Sequence, residues 1–143
     1  MEILNLSYTI DSKGFTDIHD ITPQITASVS ESGLRSGSVL LFVPGSTAGL
    51  STIEYEDGAI SDLKQAIERL VPENMQYEHD LRWGDGNGFS HVRAALLKPN
   101  LEIPVDAGNL LLGTWQQVIL LDFDNRPRKR TVICQLKGLF DKR

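Results

Sequence analysis

Residues Gln116–Leu136 read QQVILLDFDNRPRKRTVICQL. Two apolar runs, Gln116 to Phe123 and Arg130 to Leu136, are separated by Asp124-Asn125-Arg126-Pro127. Short runs rich in Val, Ile and Leu bounded by Asp, Asn and Pro are strand-like, and the bounding residues favour a turn. The stretch therefore predicts two strands joined as a β-hairpin. Leu101 to Val105 and Asn109 to Leu112 add two shorter strands upstream, so the C-terminal part is β-rich. Cys134 is the only cysteine of the chain and lies in Val132-Ile133-Cys134. It reads as a small buried hydrophobe, and no intramolecular disulfide can form.

The N-terminal half mixes strands with helices. Leu4, Leu6, Tyr8 and Ile10 alternate with polar neighbours and predict a half-buried strand over Ile3 to Ile10, closed by the turn residues Ser12-Lys13-Gly14. Asp20-Ile21-Thr22-Pro23 reads as a helix start with Thr22 as cap and proline in the first turn; Ile25, Val29 and Gly33 complete a short helix. Ser38 to Val43 reads as a buried strand ended by Pro44-Gly45, and Leu50 to Tyr55 as the next one. The clearest helix runs from Gly58 to Leu70, where Ile60, Leu63, Ala66, Ile67 and Leu70 fall at helical spacing before Pro72. Ser90 to Leu97 forms another short helix. Many strands and two or three helices give an α+β fold: one domain over residues 1–143, a mixed sheet sandwich with helices on one side.

Bulk properties narrow the function. The chain has 143 residues, 41% hydrophobic and 23% charged, with 14 basic against 19 acidic residues and a net charge of −5 at pH 7. An acidic balance excludes nucleic acid as the main partner, because phosphate backbones need a basic face. No window approaches the run of about 20 apolar residues that spans a membrane. MEILNLSYTI lacks the features of a secretory signal, so a cytoplasmic protein is expected.

The polar stretch Asp80-Leu81-Arg82-Trp83-Gly84-Asp85-Gly86-Asn87-Gly88-Phe89-Ser90-His91 carries the candidate chemistry. With His79 before it, two imidazoles flank a glycine-rich loop that can fold back on itself. Two imidazoles and a carboxylate from Asp80 or Asp85 suit a zinc-type ion, and one imidazole alone can act as acid or base. The plain reading has His79 ending a strand and His91 starting a helix, each bonded to backbone. Asp85-Gly86-Asn87-Gly88 fits either a type I′ hairpin turn or a nest of amides leading into a helix at Ser90. His19 reads as a surface residue.

Four other clusters have two readings each. Trp115 and Gln116 can stack on and read the edge of a flat ligand, or Trp115 can serve a core or an interface. Ser46 and Thr47, in Gly45-Ser46-Thr47-Ala48-Gly49, can offer hydroxyls and amides to a phosphate or form an ordinary loop; no elbow pattern makes Ser46 a nucleophile. Glu54 and Glu56 share one strand face, which suits either a solvated surface or one carboxylate wall of a pocket. Arg126, Arg128, Lys129 and Arg130 form a solvated turn or hold a phosphate, with Arg82 and Arg93 better placed for that task.

Taken in order, Asp20-Ile21-Thr22-Pro23-Gln24, Ser46-Thr47-Ala48-Gly49-Leu50, His79, Asp85-Gly86-Asn87-Gly88, Ser90-His91, Ile103-Pro104-Val105, Leu112-Gly113-Thr114-Trp115-Gln116 and Pro127-Arg128 resemble the YjbQ-like family. The resemblance runs from about Ile18 to Gly138 and is most specific in Asn-Gly-x-Ser-His paired with Leu-Gly-Thr-Trp-Gln. It implies an α+β domain assembled as a homotrimer. It also implies a weak activity of the secondary thiamine-phosphate synthase type, joining a hydroxymethyl-pyrimidine diphosphate to a thiazole phosphate with release of pyrophosphate. On that resemblance His79, His91 and Asp85 are the expected catalytic residues. Asn87, Trp115, Gln116, Arg82, Ser46 and Thr47 are expected to bind substrate, and His79 and His91 to hold a divalent metal, zinc or magnesium. One departure stands out. Many relatives carry His-Thr-Ser/Thr-Ala where this chain has Gly45-Ser46-Thr47-Ala48. A three-His metal site would lack one imidazole here and draw its third ligand from Asp80, Asp85, Glu54, water or a neighbouring subunit. A non-catalytic trimeric module that holds a small anion or metal ion is the alternative expectation.

Overall fold

The computed structural model describes residues 1–142. In chain order the elements are β1 (Glu2–Ser12), β2 (Asp17–Asp20), α1 (Thr22–Ser32), β3 (Leu34–Phe42), β4 (Ala48–Ile53), α2 (Asp57–Leu70), α3 (Glu78–Trp83), α4 (Gly88–Leu97), β5 (Asn100–Asp106), β6 (Asn109–Leu110), β7 (Gln117–Asp122) and β8 (Arg128–Phe140). They form two sheets, one of five strands in the order β1-β8-β3-β5-β6 and one of three in the order β2-β7-β4. All strand pairs are antiparallel. The α+β class read from the sequence is the fold observed.

Side-chain alternation in β7 explains the layering. Val118 and Leu120 point into a core shared with Val39 and Leu41 of β3, Ile103 of β5, and Val132 and Cys134 of β8. Ile119 and Leu121 point the other way, onto Ile67 of α2 and Ala94 of α4. A strand covered on both faces reads as a continuous apolar run, which is why Val118–Leu121 shows no polar alternation. The layers are thus the five-stranded sheet, the three-stranded sheet, and the pair α2 and α4. Helix α1 and the residue before it fill the first core with Ile21, Ile25 and Val29. Cys134 is fully buried, as expected, and burial pushes its thiol pKa up.

The hairpin expected around Asp124–Pro127 does not form. β7 takes β2 and β4 as neighbours, whereas β8 lies between β1 and β3. The turn therefore carries the chain from one sheet to the other. Each strand's apolar content was recognisable, but pairing was settled by burial of β7 on two faces. Two helix starts also differ from expectation. Thr22 does not cap α1; its hydroxyl accepts from Val118 N at 2.8 Å, and Asp20 Oδ1 accepts from Thr22 N. Glu56 leaves the strand face and caps α2, its carboxylate accepting from the amides of Gly58 and Ala59. A carboxylate there also suits the positive end of the helix.

Because Leu120 is fully buried between the sheets, Leu120→Ala should cost about 3 kcal/mol of stability in urea unfolding. Leu70→Ala, at an exposed helix end, should stay within about 0.5 kcal/mol.

Candidate functional site

At the C-terminal end of β7 the two sheets part and leave an open pocket of about 470 Å³. One wall is the loop that enters β4, with Gly45, Ser46 and Thr47. The floor is Asp124, just past β7, with Arg128 and Arg130 at the start of β8. The opposite wall comes from α3 and the entry to α4: His79, Trp83, Asp85, Asn87 and His91.

Local packing sets that second wall. Helix α3 buries no residue and is tied down at its neighbours instead. Asp80 Oδ1 accepts from Gly88 N at 2.8 Å, and Asn125 Nδ2 donates to Asp85 O at 2.8 Å. Gly88 has to be glycine, since a Cβ there would fall 2.5 Å from Tyr77 Cβ. The close approach of Gly88 to Tyr77 folds α3 back on α4 and brings the imidazoles together. Their ring centroids lie 4.4 Å apart with planes tilted by 41°. The loop between them is a helix-to-helix connection, not the type I′ hairpin turn, and His79 lies on a helix where the plain reading put the end of a strand.

His79 Nδ1 is buried and makes no hydrogen bond. It faces Asp85 Oδ1 at 3.3 Å and Asp80 Oδ1 at 3.6 Å. One ligand atom from each of the three residues lies within 4.8 Å of the others. A buried imidazole nitrogen without a partner beside two carboxylate oxygens is a donor set that fits a divalent cation. His91 is beside this set, not in it, and neither Glu54 nor His19 lines the pocket. His19 instead contacts Asp17 Oδ2 at 2.8 Å.

Beneath the pocket lies a dry network of opposite charges. Arg130 Nε and Nη2 grip the two oxygens of Asp122 at 2.7 and 2.9 Å, and Nη2 also donates to Thr47 Oγ1 at 2.6 Å. Arg130 and Asp122 are 4% and 0% exposed, so the fork is shielded from water. Arg128 Nη1 donates to Asp124 Oδ2 at 2.7 Å. Asp124 further accepts from Thr47 Oγ1, Asn87 Nδ2 and Asn125 N. Burial alone would raise the Asp124 pKa. Hydrogen bonds from the Asn125 amide, Asn87 and Thr47, with the Arg128 charge, outweigh it and hold the carboxyl below its ordinary range.

The family model described as UPF0047 protein YjbQ-like matches residues 7–139 of the chain. The chain belongs to that family. A UPF0047 protein from Archaeoglobus fulgidus is 38% identical over 130 residues, covering 91% of this chain and 98% of the relative. The UPF0047 protein YugU of Bacillus subtilis is 34% identical over 120 residues, 83% of this chain and 88% of its own. A crystal structure from Sulfolobus solfataricus, described as a YbjQ-like protein of unknown function, superposes with a TM-score of 0.87 at 28% identity, over 96% of this chain and 100% of that one.

Of the residues that the YjbQ-like resemblance picked out, His79, His91, Asp85, Asn87, Ser46 and Thr47 converge on this pocket. Trp115, Gln116 and Arg82 do not line it. Trp115 is exposed and Gln116 bonds Thr52 and Gly113, both near the start of β7, the end opposite the site. Arg82 stacks over Trp83 with its side chain outside the pocket. Arg93, expected to be available for a phosphate, is buried and spent on Val71 O, Thr16 Oγ1 and Glu68. Arg128 and Arg130 take the place foreseen for Arg82 and Arg93. They share one face of β8, whereas Lys129 faces the other way and Arg126 precedes the strand. Asp122 and Asp124 had no signal in the sequence; they close the apolar run of β7 and look like turn residues.

A lowered folded-state pKa for Asp124 means that its contribution is present above the ordinary carboxylate pKa and disappears as pH falls through the lower, folded value. Asp124→Asn should cost about 3 kcal/mol near neutral pH, because Arg128 and Thr47 lose a charged partner. The gap between wild type and variant in urea midpoint should narrow steadily below about pH 4.

Proposed function

We propose that the pocket binds small phosphorylated heterocycles and carries a transfer of the secondary thiamine-phosphate synthase type. The observation that supports this most directly is the pair of imidazoles, 4.4 Å apart, facing two guanidinium groups across one open pocket. In the reaction a thiazole ring nitrogen attacks the methylene carbon of a hydroxymethyl-pyrimidine diphosphate. The carbon–oxygen bond breaks, and pyrophosphate leaves with the bonding electrons. The protein has to receive that negative charge and exclude competing water.

His79, Asp80 and Asp85 are the residues that would hold a divalent metal, such as magnesium or zinc. Such an ion would neutralise charge on the leaving group. His91, outside that set, is free to donate a proton or hydrogen bond to a departing oxygen, and Asn87 orients the neighbouring Asp124. Trp83, an exposed ring on the pocket wall, offers the flat surface first expected of Trp115.

Assembly as a homotrimer belongs to the same reading. The outer face of the five-stranded sheet exposes Ile3, Phe42, Ile133 and Leu139 among Asn5, Gln135 and Lys137, a mixed face that a second copy would cover. Sedimentation that finds only monomer at micromolar concentration would refute it.

Purified protein given the two substrates and magnesium should form thiamine phosphate, and His91→Ala or His79→Ala should lower the rate at least about 100-fold. Undiminished turnover in both variants rejects this site. If wild type shows ligand-dependent thermal stabilisation but no turnover, the pocket is a binding module. Asp80→Asn with Asp85→Asn should reduce divalent-metal binding measured by calorimetry; equal binding removes these carboxylates from the ligand set.

A further inference from the structure

Gly45 and Arg130 meet at one edge of the pocket. Arg130 is almost wholly buried, with Nε and Nη2 committed to Asp122 and Thr47. Its third nitrogen, Nη1, makes no hydrogen bond to any described residue. A Cβ placed on Gly45 would lie 3.2 Å from that nitrogen. Gly45 also has φ +120, a conformation that residues with side chains rarely adopt. Backbone and guanidinium thus approach each other only because position 45 carries no side chain. The result is a rigid donor, with two of its three nitrogens already anchored, whose remaining N–H groups lie beside the open pocket.

We infer that this edge is a phosphoryl subsite, in which Arg130 Nη1 and the Arg128 guanidinium together hold one phosphate group of the ligand against the Gly45-Ser46 backbone. It rests on the reading that the pocket takes phosphorylated molecules, and it states which end of the pocket receives the phosphate. Arg128 lies two residues away on the same strand face, partly exposed, with Nη1 on Asp124. Ser46 adds an exposed hydroxyl that makes no hydrogen bond among the described residues. Recognition here is directional. Each arginine is matched by a buried aspartate, so the four charges cancel, and affinity comes from aimed donors on a fixed frame rather than from a positive field. The imidazoles and Asp85 stand on the opposite wall, which leaves the rest of the ligand between the two.

Calorimetric titration of the full-length protein with pyrophosphate and with inorganic phosphate, each with and without magnesium, tests this. Wild type should bind pyrophosphate. Gly45→Ala leaves the Arg130–Asp122 fork in place but crowds Nη1, and should weaken binding about tenfold. Arg128→Gln, at a half-exposed site, should do the same and decides the matter if Gly45→Ala does not fold. Lys129→Gln, which removes an exposed charge outside the pocket, should bind pyrophosphate within about twofold of wild type. Absence of pyrophosphate binding by wild type in either buffer overturns the inference. So does Gly45→Ala, or Arg128→Gln, binding as tightly as wild type. The transferase reading fails separately: subsite binding without any turnover leaves this inference standing, whereas turnover with unaltered binding by Gly45→Ala does the reverse.

Discussion

The fork between Arg130 and Asp122 joins the two sheets at the point where everything else in the pocket is attached. Asp122 ends a strand of the three-stranded sheet and Arg130 belongs to the five-stranded one. Their paired hydrogen bonds, shielded from water, fix how far apart the sheet ends stand. Replacing such a pair by apolar residues is often tolerated, but removing one partner leaves a buried charge alone. What the pair provides here is position. Thr47 is held by the same guanidinium, Asp124 by the same backbone turn, and Asn87 by Asp124. The entry to α4 is therefore tied, through three side chains, to the junction between the sheets.

The pocket that results has two walls of different character. One, from α3 and α4, offers imidazoles and carboxylate oxygens, with an unpartnered ring nitrogen among them. The other offers guanidinium and hydroxyl donors beside an exposed loop without a side chain at Gly45. The first wall has two parts: α3 buries nothing and hangs from neighbouring hydrogen bonds, whereas α4 buries Phe89, Ser90 and Ala94. The second wall is built on strand ends welded into the core. Rigidity is thus unequal across the pocket, with the fewest buried contacts on the helix that carries His79.

How much of this was legible in the sequence follows from the range of each signal. The strand alternation around Leu6 and Tyr8 and the helical spacing from Ile60 to Leu70 act within a few residues, and both elements are present. The hairpin between β7 and β8 failed because pairing depends on which faces are buried, a long-range property that two apolar runs cannot show. Helix α3 escaped because six residues with no buried face leave no periodic pattern. In the site, the glycine-rich loop marked His79, Asp85, Asn87 and His91 as neighbours, since close chain reversal needs glycine. Side-chain chemistry taken alone misplaced the aromatic wall: Trp115 and Trp83 are equally suitable residues, and only the direction of β7 separates them. Asp122 and Asp124 stayed hidden, as carboxylates that close an apolar strand resemble any turn.

The chain holds two tryptophans, and β7 keeps them apart. Trp83 stands on the pocket wall under Arg82, while Trp115 is 71% exposed just before the strand begins. The molecule thus carries two intrinsic fluorophores that sample different surroundings. Emission from Trp83 follows what enters the pocket and how α3 is seated. Emission from Trp115 follows whatever covers the opposite rim, a neighbouring copy included. Occupancy of the pocket and covering of the opposite rim can be watched separately in one unlabelled protein.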